Sequence, residues 1–356
     1  MNEIFEKMFT RLPDEIECGD YHYHVPRNRY ERDPEWRDYT GRTIGEYAAT
    51  VKMRTVELFD STWKHKTLDA DTVPFPFESW TYSIAGENRD ARLVEMLREI
   101  AYDDKPLMDI ASSGGMGLAP YFMKLNPRKP CLITDVSSLE MKILRSCLNE
   151  NLPEYNVHTA SFDNNDIPMF DSSIDYITSN YGILSSASFP ADGQKKASYH
   201  YSEGTETAIS EVYRVLKPGG RFVTVEMSRE FDFDLYKLCH DSMKNGKLFG
   251  IYTYNEIQAV LERLTEESWR DKFTSAGFEV EYEKRHYELY SIDKVMNFLH
   301  NVTKYYGIRN WEKRDWYEER RSGSVKWNSA DYDADDIGID IYDTNTIFVL
   351  GKSIQK

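Results

Sequence analysis

Residues 106–117 read PLMDIASSGGMG and residues 130–135 read PCLITD. Each is a short apolar run that ends in an aspartate, Asp109 and Asp135. Apolar runs of this length without polar alternation suit strands covered on both faces. After Asp109 comes a string of small residues through Gly117, including Ala111, Ser113 and Gly115. Small side chains let the backbone turn tightly from strand into helix and approach a ligand closely. Taken alone, a plain strand–helix connection reads the same way. Asp135 follows Gly115 by twenty residues. A carboxylate at that strand end can accept both hydroxyls of a ribose lying across the sheet edge, although an aspartate at a helix start beside Ser137 has the same appearance.

The pattern continues outward from these two runs. NVHTA (156–160), SIDYITSN (173–180) and GRFVTVEM (220–227) read as further strands. Between them, residues 137–150 open with Ser137 and Glu140 at capping-box spacing and carry Met141, Leu144 and Leu148 on one helical face. Residues 205–216 place Ile209, Val212 and Leu216 on one stripe, and Lys217-Pro218-Gly219-Gly220 reads as a helix stop and turn. Strands alternating with helices predict a parallel sheet built from right-handed βαβ units. Residues 278–289 and 345–353 read as two late strands, while 42–63 and 88–104 read as helices ahead of the core. The expected organisation is a helical extension or cap over 1–105, an α/β core over 106–228, and helical insertions with the last core strands over 229–356.

Two further features bear on a ligand. Asp163, beside Phe162, follows the third strand where a loop can hydrogen-bond an adenine amino group. Asn180 and Tyr181 leave the fourth strand at the carboxyl edge, where open α/β sheets hold their ligands.

In this order and spacing, the segments resemble the class I S-adenosylmethionine-dependent methyltransferases. The family's acid-x-Gly-x-Gly-x-Gly loop falls on Asp109, Ala111, Ser113 and Gly115, so two glycines are replaced by other small residues. Its ribose acid falls on Asp135 and its adenine-side acid on Asp163. Its Leu-Pro-Phe-acid stretch is echoed at 167–171, and its Leu-Lys-Pro-Gly-Gly turn stands unchanged at 216–220. The resemblance covers 106–228 and implies a Rossmann-like, mostly parallel seven-stranded sheet. It also implies S-adenosylmethionine as cofactor, bound by Asp109, Ala111, Ser113, Gly115, Asp135, Phe162, Asp163 and Asn180. A NAD-dependent oxidoreductase is the nearest rival fold, but the third glycine of its GxGxxG motif would fall on Pro120. A catalytically inert S-adenosylmethionine-binding protein is the other alternative, supported only by Ala111 and Ser113.

Methyl transfer from a sulfonium asks chiefly for alignment and exclusion of water. A base is needed only where the nucleophile must lose a proton, so catalytic residues leave little trace in a sequence. His200, in the long segment 185–204, and Tyr181 are the candidates. Ordinary loop packing accounts for Tyr199-His200-Tyr201 equally well. Tyr47, Trp63, Trp80 and Tyr82 are candidates for closing a pocket, with core packing the competing reading.

Composition narrows the partners. Forty-four basic residues against 60 acidic ones give a charge of −16, which disfavours a nucleic-acid or anionic-membrane surface. A small-molecule acceptor is expected instead, with a homodimer an open option for assembly. No apolar run reaches the roughly 18 residues of a membrane span, and the first residues lack the apolar stretch of a signal peptide. Cys18, Cys131, Cys147 and Cys239 are scattered without metal spacing. His22 and His24, and the acidic run 331–343, read as surface loops rather than metal sites. The reading is of a cytoplasmic protein with no metal.

Overall fold

The computed structural model describes residues 3–10, 43–63, 91–112, 117–183, 201–227, 247–248, 252–253, 266–290 and 341–354. Ser113, Gly115, Trp80, Tyr82 and His200, together with most of the segment 185–204, lie outside the described residues.

The elements run α1 (Glu3–Glu6), α2 (Ile44–Thr62), α3 (Ala91–Tyr102), β1 (Leu107–Ile110), α4 (Ala119–Leu125), β2 (Cys131–Asp135), α5 (Ser138–Asn151), β3 (Val157–Ser161), β4 (Ile174–Asn180), α6 (Tyr201–Val215), β5 (Leu216–Met227), β6 (Lys247–Leu248), β7 (Tyr252–Thr253), α7 (Glu266–Ser275), β8 (Phe278–Tyr290) and β9 (Ile341–Lys352). Seven strands form one sheet in the order β3-β2-β1-β4-β5-β9-β8, while β6 and β7 pair apart from it. The pairs from β3 through β5 are parallel. β9 inserts antiparallel to both β5 and β8. The sheet is therefore the mostly parallel, Rossmann-like one that the alternating pattern predicts, with its two late strands in place.

β1 and β2 are buried along their whole length because helices cover both faces. Side chains alternate between two hydrophobic layers. Leu107, Cys131 and Ile133 join residues of α2, α3, α4 and α5 on one face. Met108, Ile110 and Leu132 join α6, α7 and residues of the N-terminal segment on the other.

Several local expectations are corrected. The Leu-Lys-Pro-Gly-Gly turn does not separate α6 from a strand beginning at Gly220. Leu216 already pairs with Ile174, and residues 217–220 form an irregular bulge before Arg221 meets Tyr176. Gly219 takes φ +79° in that bulge, a conformation costly for any residue with a Cβ. Helix α6 begins at Tyr201, four residues before the predicted start. At α5, Ser137 does cap the helix, accepting from the Glu140 amide. The reciprocal half of the box is not seen, because the Ser137 amide donates to Asp135 Oδ1 and Glu140 pairs with Arg54. The complete capping box lies elsewhere, between Thr43 and Glu46 at the start of α2.

That Arg54–Glu140 ion pair is buried and sets how α2 lies on the core. Arg54 meets the first turn of α5, and Trp63 meets Tyr155 beyond the last turn of α5. The two helices thus run side by side in the same sense. The first ten residues of α2, about 15 Å of helix, extend past the start of α5 toward the carboxyl edge. Trp63 itself sits at the far end, fully packed in the core. It is a core residue, not a pocket residue.

Candidate functional site

In the order β3-β2-β1-β4-β5, successive strands are added outward to one side as far as β3 and then to the other side from β4, so the strand order reverses between β1 and β4. Crevices that hold ligands in open α/β sheets form at such a switch point, at the carboxyl ends of the strands. Asp109, Asp135, Asn180 and Tyr181 are all brought to this edge.

Asp109 is completely buried, and its carboxylate holds the loop together from beneath. Ser112 Oγ donates to Oδ2 at 2.5 Å, while Thr178 Oγ1 and the Leu118 amide donate to Oδ1 at 2.5 and 3.1 Å. One carboxylate therefore ties the end of β1, the far side of its loop and β4 into one unit. Burial pushes its pKa up to about 6, against the pull of these donors. In the unfolded chain the group titrates near the ordinary 3.8. Between those values the folded state holds a proton that the unfolded state has released. Stability should therefore fall as pH rises through that window. Comparing urea midpoints at pH 4.5 and 7.5, the excess stability of wild type over Asp109→Asn should shrink with rising pH. A constant difference would contradict the buried titration.

The edge is also where backbone strain collects. Ala111 has φ 52° and Tyr181 φ 55°, both left-handed positions unfavourable to residues with a Cβ. Between them lies Gly182, where an added Cβ would stand 2.9 Å from Ala111 Cβ and 3.0 Å from the Ile110 carbonyl oxygen, and would overlap Ser179 Oγ. The ends of β1 and β4 approach too closely there for a side chain. The family pattern puts glycine where this chain has Ala111. Ala111→Gly should therefore gain about 0.5–1 kcal/mol, relief of left-handed strain less the added freedom of the unfolded chain. A higher urea midpoint at unchanged slope would show it.

Asp135 ends β2 at 8% exposure, with Oδ1 accepting from the Ser137 amide at 2.9 Å. Its carbonyl accepts from the Phe162 amide, which carries the chain to Asp163. The Asp163 Oδ1 atom accepts from both the amide and the side chain of Asn165, and burial raises its pKa above the usual value. Phe162 turns its ring into the core at 1% exposure. Tyr181 is likewise buried, its amide bonded to the Val225 carbonyl. Thr178 and Glu226 at this edge escape the sequence reading, in which Gly117 stands only as one of the small residues of the turn. Gly117 and Thr178 both serve Asp109. Glu226, fully buried near the end of β5, accepts from Thr224 Oγ1 at 2.7 Å. A buried acid at the end of β1 needs donors, and Thr178 on the neighbouring strand was the readable signal.

The edge carries a carboxylate at the end of β2, a second in the loop after β3, and the close approach of the ends of β1 and β4 at Gly182.

A model of the ubiE/COQ5 methyltransferase family matches residues 99–292. The chain belongs to this family. Its matched region begins within α3 and runs beyond β8, so it takes in the whole parallel part of the sheet. Among solved structures, the chain is similar to a candidate methyltransferase from Bacillus halodurans C-125. That match has 16% identity and a TM-score of 0.48, covering 73% of this chain and 98% of the other. It is also similar to the YcgJ protein from Bacillus subtilis, with 17% identity, a TM-score of 0.46, and coverage of 74% and 97%. A SAM-dependent methyltransferase from Methanosarcina mazei matches with 15% identity and a TM-score of 0.41, over 73% and 98%. No curated protein sequence matches the chain. Among the described residues, no helix is long and apolar enough to cross a membrane.

Proposed function

We propose that this ubiE/COQ5-family chain binds S-adenosylmethionine at the carboxyl edge of β1, β2 and β4 and transfers its methyl group to a small-molecule acceptor. The observation that carries the reading is the pairing of Asp135 at the end of β2 with the loop that Asp109 closes at the end of β1. When bound, the cofactor supplies an activated methyl group on a sulfonium. The chain's own work is to hold and exclude. Asp135 would take the ribose hydroxyls and Asp163 the adenine side. Ala111, Ser113 and Gly115 would let the backbone approach, with Asp109 acting through the loop that it fixes. Asn180, leaving β4 at the switch point, would face the cofactor between the two halves of the sheet.

On the acceptor side, Tyr181 and His200 are the proposed groups, with His200 as the base where the acceptor must lose a proton. The acidic total charge supports a small acceptor over nucleic acid. S-adenosylhomocysteine binding by calorimetry tests the cofactor reading, with NAD as the competitor that separates the oxidoreductase alternative. Protection by NAD rather than by S-adenosylhomocysteine would overturn it. Transfer of labelled methyl from S-adenosylmethionine to a panel of small molecules separates an enzyme from an inert binder. Binding without transfer to any acceptor would favour the inert form.

A further inference from the structure

The first described residues lie far in sequence from the proposed cofactor loops, yet they are built into one of them. Phe5 is fully buried and Phe9 is 6% exposed. Phe5 meets the ring of His158 on β3 edge-on at 5.8 Å. Phe9 meets the ring of Phe162 edge-on at 6.3 Å. The backbone then pairs antiparallel with the far end of the same loop, Phe9 opposite Met169. The Thr10 amide donates to the Pro168 carbonyl at 2.9 Å, and the Phe170 amide donates to the Met8 carbonyl at 2.8 Å.

The loop 162–170 therefore touches the N-terminal segment at both ends. Its start is tied to Asp135 through the Phe162 amide and backed by the ring of Phe9. Its end is held in a short ladder, with Arg214 gripping the Ile167 and Met169 carbonyls from the opposite side. Asp163 stands one residue beyond Phe162, inside this frame. Covering the exposed edge of β3 would be a sufficient role for Phe5 alone. It does not account for a ladder made to residues 168–170, which lie outside that strand.

We propose that residues 3–10 are a positioning strap for the adenosine half of the site, with Phe9 the positioning residue that sets Phe162 and, through it, Asp135 and Asp163. The inference rests on the cofactor reading above. Its mechanism is preorganisation: a loop already held in its binding shape loses less freedom when the ligand arrives.

The test measures binding of adenosine and of S-adenosylhomocysteine to the full chain. Phe9→Ala should weaken both by about tenfold and by the same factor, because the strap touches only the half that both ligands share. Phe9→Leu keeps apolar volume and serves if the alanine variant fails to fold; a threefold loss of both is expected. Phe273→Leu, in the same hydrophobic layer but packed against Phe222, Phe278 and Phe348, should lower the melting temperature and leave both affinities within twofold. If wild type binds neither ligand, the cofactor reading fails. If wild type binds and folded Phe9 variants bind as tightly, or if Phe273→Leu weakens binding equally, the strap has no positioning role.

Discussion

Asp135→Ala is expected to weaken S-adenosylhomocysteine binding by about 30- to 200-fold, or about 2–3 kcal/mol. The loss is that of two hydrogen bonds from ribose hydroxyls to a charged acceptor. The neighbourhood of Asp135 makes the outcome interpretable. Its Oδ1 already accepts from the Ser137 amide at the start of α5, so the alanine variant also frees one backbone donor. Asp135→Asn separates the two contributions. An amide oxygen still accepts from Ser137, but the charge is gone and only one acceptor atom remains. That variant should lose about tenfold in affinity with stability near wild type. Calorimetry that found unchanged affinity in both variants would remove Asp135 from the site. Equal losses in both would mean that the amide oxygen kept by Asp135→Asn contributes nothing to the ribose, and that the ionised carboxylate is required.

The contrast between what could be read and what could not has a physical pattern. β1 and β2 are legible because short strands covered on both faces are mostly apolar and follow one another with a helical pattern between them. Asp109 and Asp135 were legible because an acid that ends such a run is conspicuous. The role of Asp109 was not. A sequence does not show that Ser112, Leu118 and Thr178 all turn toward it; the family resemblance alone places it beside a cofactor, and the part it plays in holding the loop is seen only in its contacts. The left-handed Ala111 and Tyr181 were hidden for a similar reason, since neither residue type advertises a positive φ. Phe5 and Phe9 stand four apart among alternating acids and bases, a spacing that an exposed helix would show equally well. Only their contacts with His158 and Phe162 reveal that they are buried. The Leu-Lys-Pro-Gly-Gly motif does not reveal its place in the strand, because the pairing of Leu216 with Ile174 depends on the neighbouring strand.

Gly117 gives the sharpest check on the loop. A Cβ there would overlap Asp109 Oδ2 and stand 2.6 Å from Cγ and 2.9 Å from Oδ1. The obstacle is not the far end of a flexible side chain. It is a carboxyl fixed by the Ser112 and Thr178 hydroxyls and the Leu118 amide, and it can move only by breaking those bonds. Gly117→Ala should therefore cost about 3 kcal/mol, the upper range for overpacking a rigid site, and reduce S-adenosylhomocysteine affinity at least tenfold as the loop is displaced. Asp109→Ala should cost a similar amount for the opposite reason, because it leaves the Thr178 hydroxyl and the Leu118 amide buried without their acceptor. The two costs should not add. With the carboxyl gone, the new methyl group of Gly117→Ala has space to occupy, and its cost should drop below about 1 kcal/mol, a coupling of about 2 kcal/mol for residues in direct contact. Urea denaturation of the two single variants and the double variant closes the cycle. Costs that add would mean that Gly117 is constrained by something other than Asp109, and that the loop is not organised around that carboxylate.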